Sequence, residues 1–267
     1  MNDISTENKT NYNSLKKLII SSLMLAIGLI IRQMSVMVPV MGVPGLRIGF
    51  SGVFTSIPAI IFGPVYGALT SSMADLVGHF LNPQGPFFPH FTIMAAIGGF
   101  LRGFLWMKLR KVSLDKLKIS LSVFLIILIS LGTISSIMVY GFTNSVFSNF
   151  LSGLKIKSGS QIACVTYIPI IIGALGFLIL YINKFISSKN SNTLMNQKYL
   201  PLAITMLISG LIVTTINTEI IMSLYGIKKA FLLFYIPRFI EEVVTNLVSA
   251  YLISWILIRT KMEKFLL

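Results

Sequence analysis

The sequence predicts an all-α polytopic membrane protein with about eight spans and both termini in the cytoplasm. Three observations predict it. Of 267 residues, 55% are hydrophobic, and the mean hydropathy is +0.85. Only 11% are charged, against about 25% in an ordinary soluble domain, so too little polar surface exists to cover a water-facing body. The apolar residues also fall in long runs rather than in the alternating segments of about 10 residues that make a transmembrane β-barrel. Helices are then the remaining way to satisfy the backbone inside a bilayer.

Residues 1–14 are polar and Asn-rich and read as a disordered tail, which leaves 15–267 as a single membrane domain. Lys16 and Lys17 precede an apolar run that passes into Arg32 and Gln33 without a small-residue cleavage site, which argues against a cleavable leader. Apolar segments lie near 17–38, 48–62, 65–80, 91–107, 119–141, 162–183, 200–222 and 231–258. The second and third are short for a hydrocarbon core that needs about 20 residues, and they share the Gly63-Pro64 turn. They read as two short helices or as one broken element lining a cavity. The connections 142–161 and 184–199 read as ordinary loops. The single cysteine, Cys164, excludes an internal disulfide and a cysteine metal cluster; within an apolar run it reads as packing.

The formal net charge of +14 suggests nucleic acid only until the charges are placed. With eight spans and a cytoplasmic N-terminus, the inside loops hold Lys9, Lys16, Lys17, Lys108, Arg110, Lys111, Lys116, Lys118, Lys184, Lys189, Lys198, Arg259, Lys261 and Lys264. The outside loops hold Arg47, Lys155, Lys157, Lys228 and Lys229. That imbalance follows the positive-inside rule, so the charge orients the chain and gives no nucleic-acid signal. A single crossing over 48–80 would turn the basic 108–118 loop outward, so the count favours a two-crossing hairpin there.

Much chemistry is missing. There is no G-x-x-x-x-G-K-[ST] phosphate loop, no H-E-x-x-H zinc motif among two histidines, and no G-x-S-x-G elbow. Of eight acids, only Asp75, Glu219, Glu241 and Glu242 lie in or beside spans. That inventory suits binding better than catalysis and implies no cofactor or metal. Two rival readings remain: a membrane-embedded enzyme acting on a lipid or prenyl substrate through those four acids, and a self-sufficient secondary transporter with Asp75 or Glu219 as its proton site.

The densest pattern is Leu46-Arg47-Ile48-Gly49-Phe50, Phe62-Gly63-Pro64-Val65-Tyr66-Gly67-Ala68, Ala74-Asp75-Leu76-Val77-Gly78, and Pro83-Gln84-Gly85-Pro86-Phe87-Phe88-Pro89-His90-Phe91-Thr92. An acid in a short apolar span, as Asp75 is, is a functional-site candidate by default. The Pro- and Phe-rich stretch makes a stiff uncharged loop whose rings either stack on a flat heterocycle or cap the bundle. Near the C-terminus lie Ile216-Asn217-Thr218, Leu224-Tyr225-Gly226 and Pro237-Arg238. These motifs, in this order, resemble the substrate-binding S components of energy-coupling factor (ECF) vitamin transporters, and most of all the folate-specific ones. The resemblance covers roughly 15–112 and 200–258. It implies a six-helix core with two inserted spans, 119–141 and 162–183. It further implies capture of folate or a related heterocyclic vitamin, and partnership with a membrane coupling subunit and two ATP-binding-cassette ATPases. The chain departs from the folate-type run where Glu219-Ile220 follows Thr218.

Against that resemblance the candidate ligand residues are Arg32, Arg47, Asp75, Phe87, Phe88, His90, Asn217, Glu219 and Arg238. Arg47 binds a carboxylate bidentately or snorkels. Arg32 needs a partner, Asp75 or Glu219, unless it ends its helix at the surface. Asp75 accepts from the N–H groups of a pterin-like ring or holds Arg32 or Arg102. Arg238 with Glu241 and Glu242 has the spacing of a structural ion pair. His79 and His90 flank the loop, and Arg102 reads as interfacial. Ser22 and Ala26 form a small-xxx-small face suited to close helix packing on a partner.

Overall fold

The computed structural model describes residues 2–40, 43–83, 85–140, 167, 169–178, 180–181, 193–226 and 231–262. In chain order they form α1 (Asn2–Gln33), a hairpin of β1 (Val36–Val40) and β2 (Val43–Ile48), α2 (Ser51–Phe62), α3 (Pro64–Leu81), α4 (Pro89–Leu109), α5 (Leu114–Tyr140), α6 (Pro169–Leu178), α7 (Thr193–Leu224) and α8 (Phe231–Arg259). Among the described residues, five helical stretches are long and apolar enough to cross a membrane: Ser14–Gln33, Pro89–Leu109, Leu114–Met138, Gln197–Leu224 and Phe234–Arg259.

The hairpin is the exception to the all-α expectation. The first expected span, 17–38, ends as helix at Gln33, and the second, 48–62, begins at Ser51. Between them Val36 pairs with Ile48, Met37 with Arg47 and Val38 with Leu46, antiparallel. β-Branched residues suit a strand, and Pro39 and Pro44 break any helix through this stretch. At the N-terminus, α1 is helical from Asn2, so the polar stretch expected as a tail is continuous with the first helix.

The short second segment has a physical reason. α2 is 12 residues long, and Thr55 through Phe62 are all buried. It packs against α1, α3, α4 and α8. A helix enclosed on its sides is apolar all round and does not have to match the bilayer alone. Gly63, at φ 94°, makes the turn into α3, whose first residue is Pro64, the position proline favours. α3 and α4 then cross in direct backbone contact at Gly67 and Gly99, where a Cβ on either would collide with the other's carbonyl.

The core runs from α2 (Ile57, Ile60, Ile61) into α7 (Tyr199, Leu200, Leu202) and α8 (Val243, Ile253, Leu257). α5 packs on α7 and buries Leu117, Leu121, Leu125 and Leu128. α6 lies against α5 through Gly173 and Gly176, which face Ile129 and Leu125. Cys164, the loop 142–161, residues 162–166 and residues 182–192 lie outside the described residues. The β-hairpin, the 82–88 loop and the C-terminal end of α7, where Tyr225 meets Phe88, share one end of the bundle. The Gly63-Pro64 turn and the basic α4–α5 turn share the other.

Candidate functional site

At the loop end a cavity of about 400 Å³ opens between α1, the hairpin, α3, α4, α7 and α8. Its construction begins with a charge pair. Arg32 sits in the last turn of α1 and cannot stay unpartnered in an apolar bundle. Its Nη2 donates to Asp75 Oδ1 at 3.0 Å, and its Nη1 donates to the Ala74 carbonyl at 2.9 Å. Asp75 Oδ2 accepts from Thr92 Oγ1 at 2.9 Å, so one carboxylate ties α1, α3 and α4 together. Gly78, one turn along α3 from Asp75, makes room: a Cβ there would lie 2.5 Å from Arg32 Nε. The spacing in Ala74-Asp75-Leu76-Val77-Gly78 thus places acceptor, carboxylate and gap on one helix face.

Arg47 enters from β2 and also lines the cavity. Burial lowers its guanidinium from the ordinary arginine value to about 10, Arg32's charge lowers it too, and Asp75 opposes them. It therefore stays cationic at neutral pH. Arg102 of α4 and Arg238 of α8 complete four arginines in the lining, against one lining carboxylate, Asp75. Arg238 also lies over the Phe234 ring at 5.8 Å. Glu241 and Glu242 line an adjoining recess of about 260 Å³ that shares Arg47, Arg102, Asn217 and Arg238 with the main cavity. Glu242 accepts from Thr214 at 2.6 Å and Asn246 at 2.7 Å, and Glu241 accepts from Thr245 at 3.2 Å.

Aromatic rings crowd the mouth. Phe87 lies 5.2 Å from His79 and 6.1 Å from Phe80. Phe88 lies 6.1 Å from Phe91 and meets Tyr225, at the end of α7, edge-on at 6.2 Å. Ring contacts of this kind prefer edge or offset geometry and here connect the 82–88 loop to α3, α4 and α7.

Of the residues singled out in the sequence, the fold brings Arg32, Arg47, Asp75, Phe87, Phe88, Asn217 and Arg238 to the cavity. It does not bring His90 or Glu219 there; both are exposed, outside the lining. His90 is the second residue of α4, and Glu219 is on the face of α7 turned away from Asn217. His79, Arg102, Ser71, Thr55 and Tyr225 line the cavity instead and were not counted as ligand residues. Arg102 was the readable one, since a charge inside an apolar helix is a site signal; His79 was readable too, four residues from Asp75 and on the same face. Buried polar atoms of the lining lack hydrogen-bond partners among the described residues: Ser71 Oγ, Arg102 Nε and Asn217 Oδ1. Ser22 and Ala26 lie together on an exposed face of α1.

The sequence matches a family model described as ECF-type riboflavin transporter, S component, over residues 12–182. The match runs through α5 and α6, the two helices expected as insertions, and ends before α7. A relative, the folate transporter FolT of Clostridium novyi (strain NT), is 26% identical over 114 residues, covering 43% of this chain and 59% of the relative. The chain thus spans about three-fifths of that relative's length. No solved structure matches. With well over half of its length matched, this chain belongs to the ECF-type riboflavin transporter S-component family of multi-pass membrane subunits, a transport family and not an enzyme family.

Proposed function

We propose that this subunit captures folate, or a related acidic heterocyclic vitamin, and hands it to partner subunits for ATP-driven import. The observation that carries the substrate class is the charge of the cavity. Four arginines and one carboxylate, Asp75, line the main cavity. Asp75 is engaged by Arg32 and Thr92, and with Glu241 and Glu242 of the adjoining recess counted the arginines still outnumber the acids four to three. In a low-dielectric site such a surplus favours an anion, and planar guanidinium groups suit carboxylates best. Riboflavin has no carboxylate to offer these guanidinium groups. The rings at the mouth suit a flat heterocycle. The folate transporter relative supports the same reading.

Orientation follows from the bundle's two ends. The basic α4–α5 turn, with Lys108, Lys111, Lys116 and Lys118 exposed, lies opposite the cavity mouth. Under the positive-inside rule the mouth faces outward and both termini face the cytoplasm. The partners are a membrane coupling subunit and two ATP-binding-cassette ATPases. Ser22 and Ala26, exposed on α1, mark a face where another helix approaches closely.

Uptake of labelled folate into proteoliposomes tests this reading. Uptake requires the coupling subunit, the ATPases and internal ATP together. Proton-driven uptake by the purified chain alone would replace it with the secondary-transporter reading.

A further inference from the structure

Arg102 is the charge in the cavity that the fold leaves least compensated. It lies thirteen residues into α4 from Pro89, about 20 Å below the loop end at 1.5 Å per residue. Among the described residues its hydrogen-bond partner is Ser56 Oγ of α2, at 3.1 Å. Its Nε is buried and has no hydrogen-bond partner among the described residues. No described carboxylate lies within ion-pair distance of it. The acid whose field reaches it is Glu242, whose two oxygens are held by Thr214 and Asn246. Arg32, by contrast, has both a carboxylate and a carbonyl.

Arg102 is half-buried at the cavity wall, and a buried donor such as its Nε is costly to leave unfilled. Ser56 is fully buried and fixes one end of the fork, while Arg102 lines the main cavity and the recess beside it. We propose that Arg102 is a ligand-recognition residue at the floor of the cavity, donating to an acceptor oxygen of the bound molecule. Both a carboxylate and a ring carbonyl carry such an oxygen. This inference rests on the reading of the cavity as a vitamin site.

The test is titration of purified wild-type, Arg102→Gln, Arg102→Lys and Arg102→Gln/Glu242→Gln proteins with folic acid, and with 6-methylpterin, which has no carboxylate, by competition. Arg102→Gln is expected to weaken folic acid binding about tenfold or more, the usual scale for a lost charged hydrogen bond. Arg102→Lys keeps the charge without the fork and is expected to lose about threefold to tenfold; it also reports if the glutamine variant does not fold. Loss for folic acid alone assigns the contact to a carboxylate, and loss for both ligands assigns it to the ring carbonyl. Unchanged affinity in the folded variants overturns the proposal. So does recovery of affinity in the double variant, which would reduce Arg102 to a counter-charge for Glu242. If wild-type protein does not bind folic acid, the folate reading itself falls, apart from the role of Arg102.

Discussion

Gly78 on α3 leaves a gap that the Arg32 guanidinium occupies: a Cβ at Gly78 would stand 2.5 Å from Arg32 Nε and 2.6 Å from its Cδ. The glycine and the arginine belong to different helices, and the shape of the cavity wall depends on both. Gly78→Ala is expected to separate stability from binding. Alanine favours the helix over glycine by about 0.5–1 kcal/mol, and the colliding group is the movable end of a side chain. The helix gain offsets part of the strain on the Arg32–Asp75 pair, so thermal stability in detergent should fall less than in Asp75→Asn, while ligand affinity falls about tenfold, or ~1.4 kcal/mol, as Arg32 is displaced.

Asp75→Asn removes the counter-charge of Arg32 and keeps the shape. The pair is mostly but not fully buried, with side-chain exposures of 14% and 22%. The 3–5 kcal/mol typical of breaking a fully buried pair is therefore reduced to about 1–3 kcal/mol. Thr92→Val, which removes one donor to the same carboxylate, should cost about 0.5–1.5 kcal/mol. Melting in detergent without ligand ranks the two; a greater loss in Thr92→Val would mean that the carboxylate does not organise α1, α3 and α4.

Asn217→Ala and Glu219→Ala are two residues apart on α7 and should behave differently. Asn217 lines the cavity and Glu219 is exposed outside it. The first should weaken ligand binding by about 1–3 kcal/mol, and the second should stay within about 0.5 kcal/mol of wild type. Equilibrium binding on both variants checks this.

Phe88→Ala should weaken binding and Tyr225→Phe should not. The edge contact between these rings joins the 82–88 loop to α7, and it contributes through ring geometry, about 0.5–1.5 kcal/mol, which phenylalanine preserves. A loss in Tyr225→Phe equal to that in Phe88→Ala would assign the role to the tyrosine hydroxyl instead.

The same pairs show what the sequence carries and what it leaves open. Arg32, Arg47, Asp75 and Arg238 were legible because a charge in or beside an apolar run stands out. Choosing between Asn217 and Glu219, or between His79 and His90, requires knowing which helix face turns inward, and hydropathy alone does not give it. The long helices α4, α5, α7 and α8 were legible from run length. The hairpin was not, because Val36-Met37-Val38 is as apolar as a helical turn, and a short apolar run does not distinguish strand from helix. Arg102 was visible as a charge, but its neighbours, Ser56 on α2 and Glu242 on α8, come from distant sequence and only the fold brings them together.

The central claim is that the arginine-lined cavity selects an acidic heterocyclic vitamin. Calorimetric titration of the purified protein with folic acid and with riboflavin, side by side, tests it most directly. The account predicts saturable one-to-one binding of folic acid, tighter than any binding of riboflavin and weakened in Arg47→Ala. Tighter binding of riboflavin, or no saturable binding of folic acid, would contradict it.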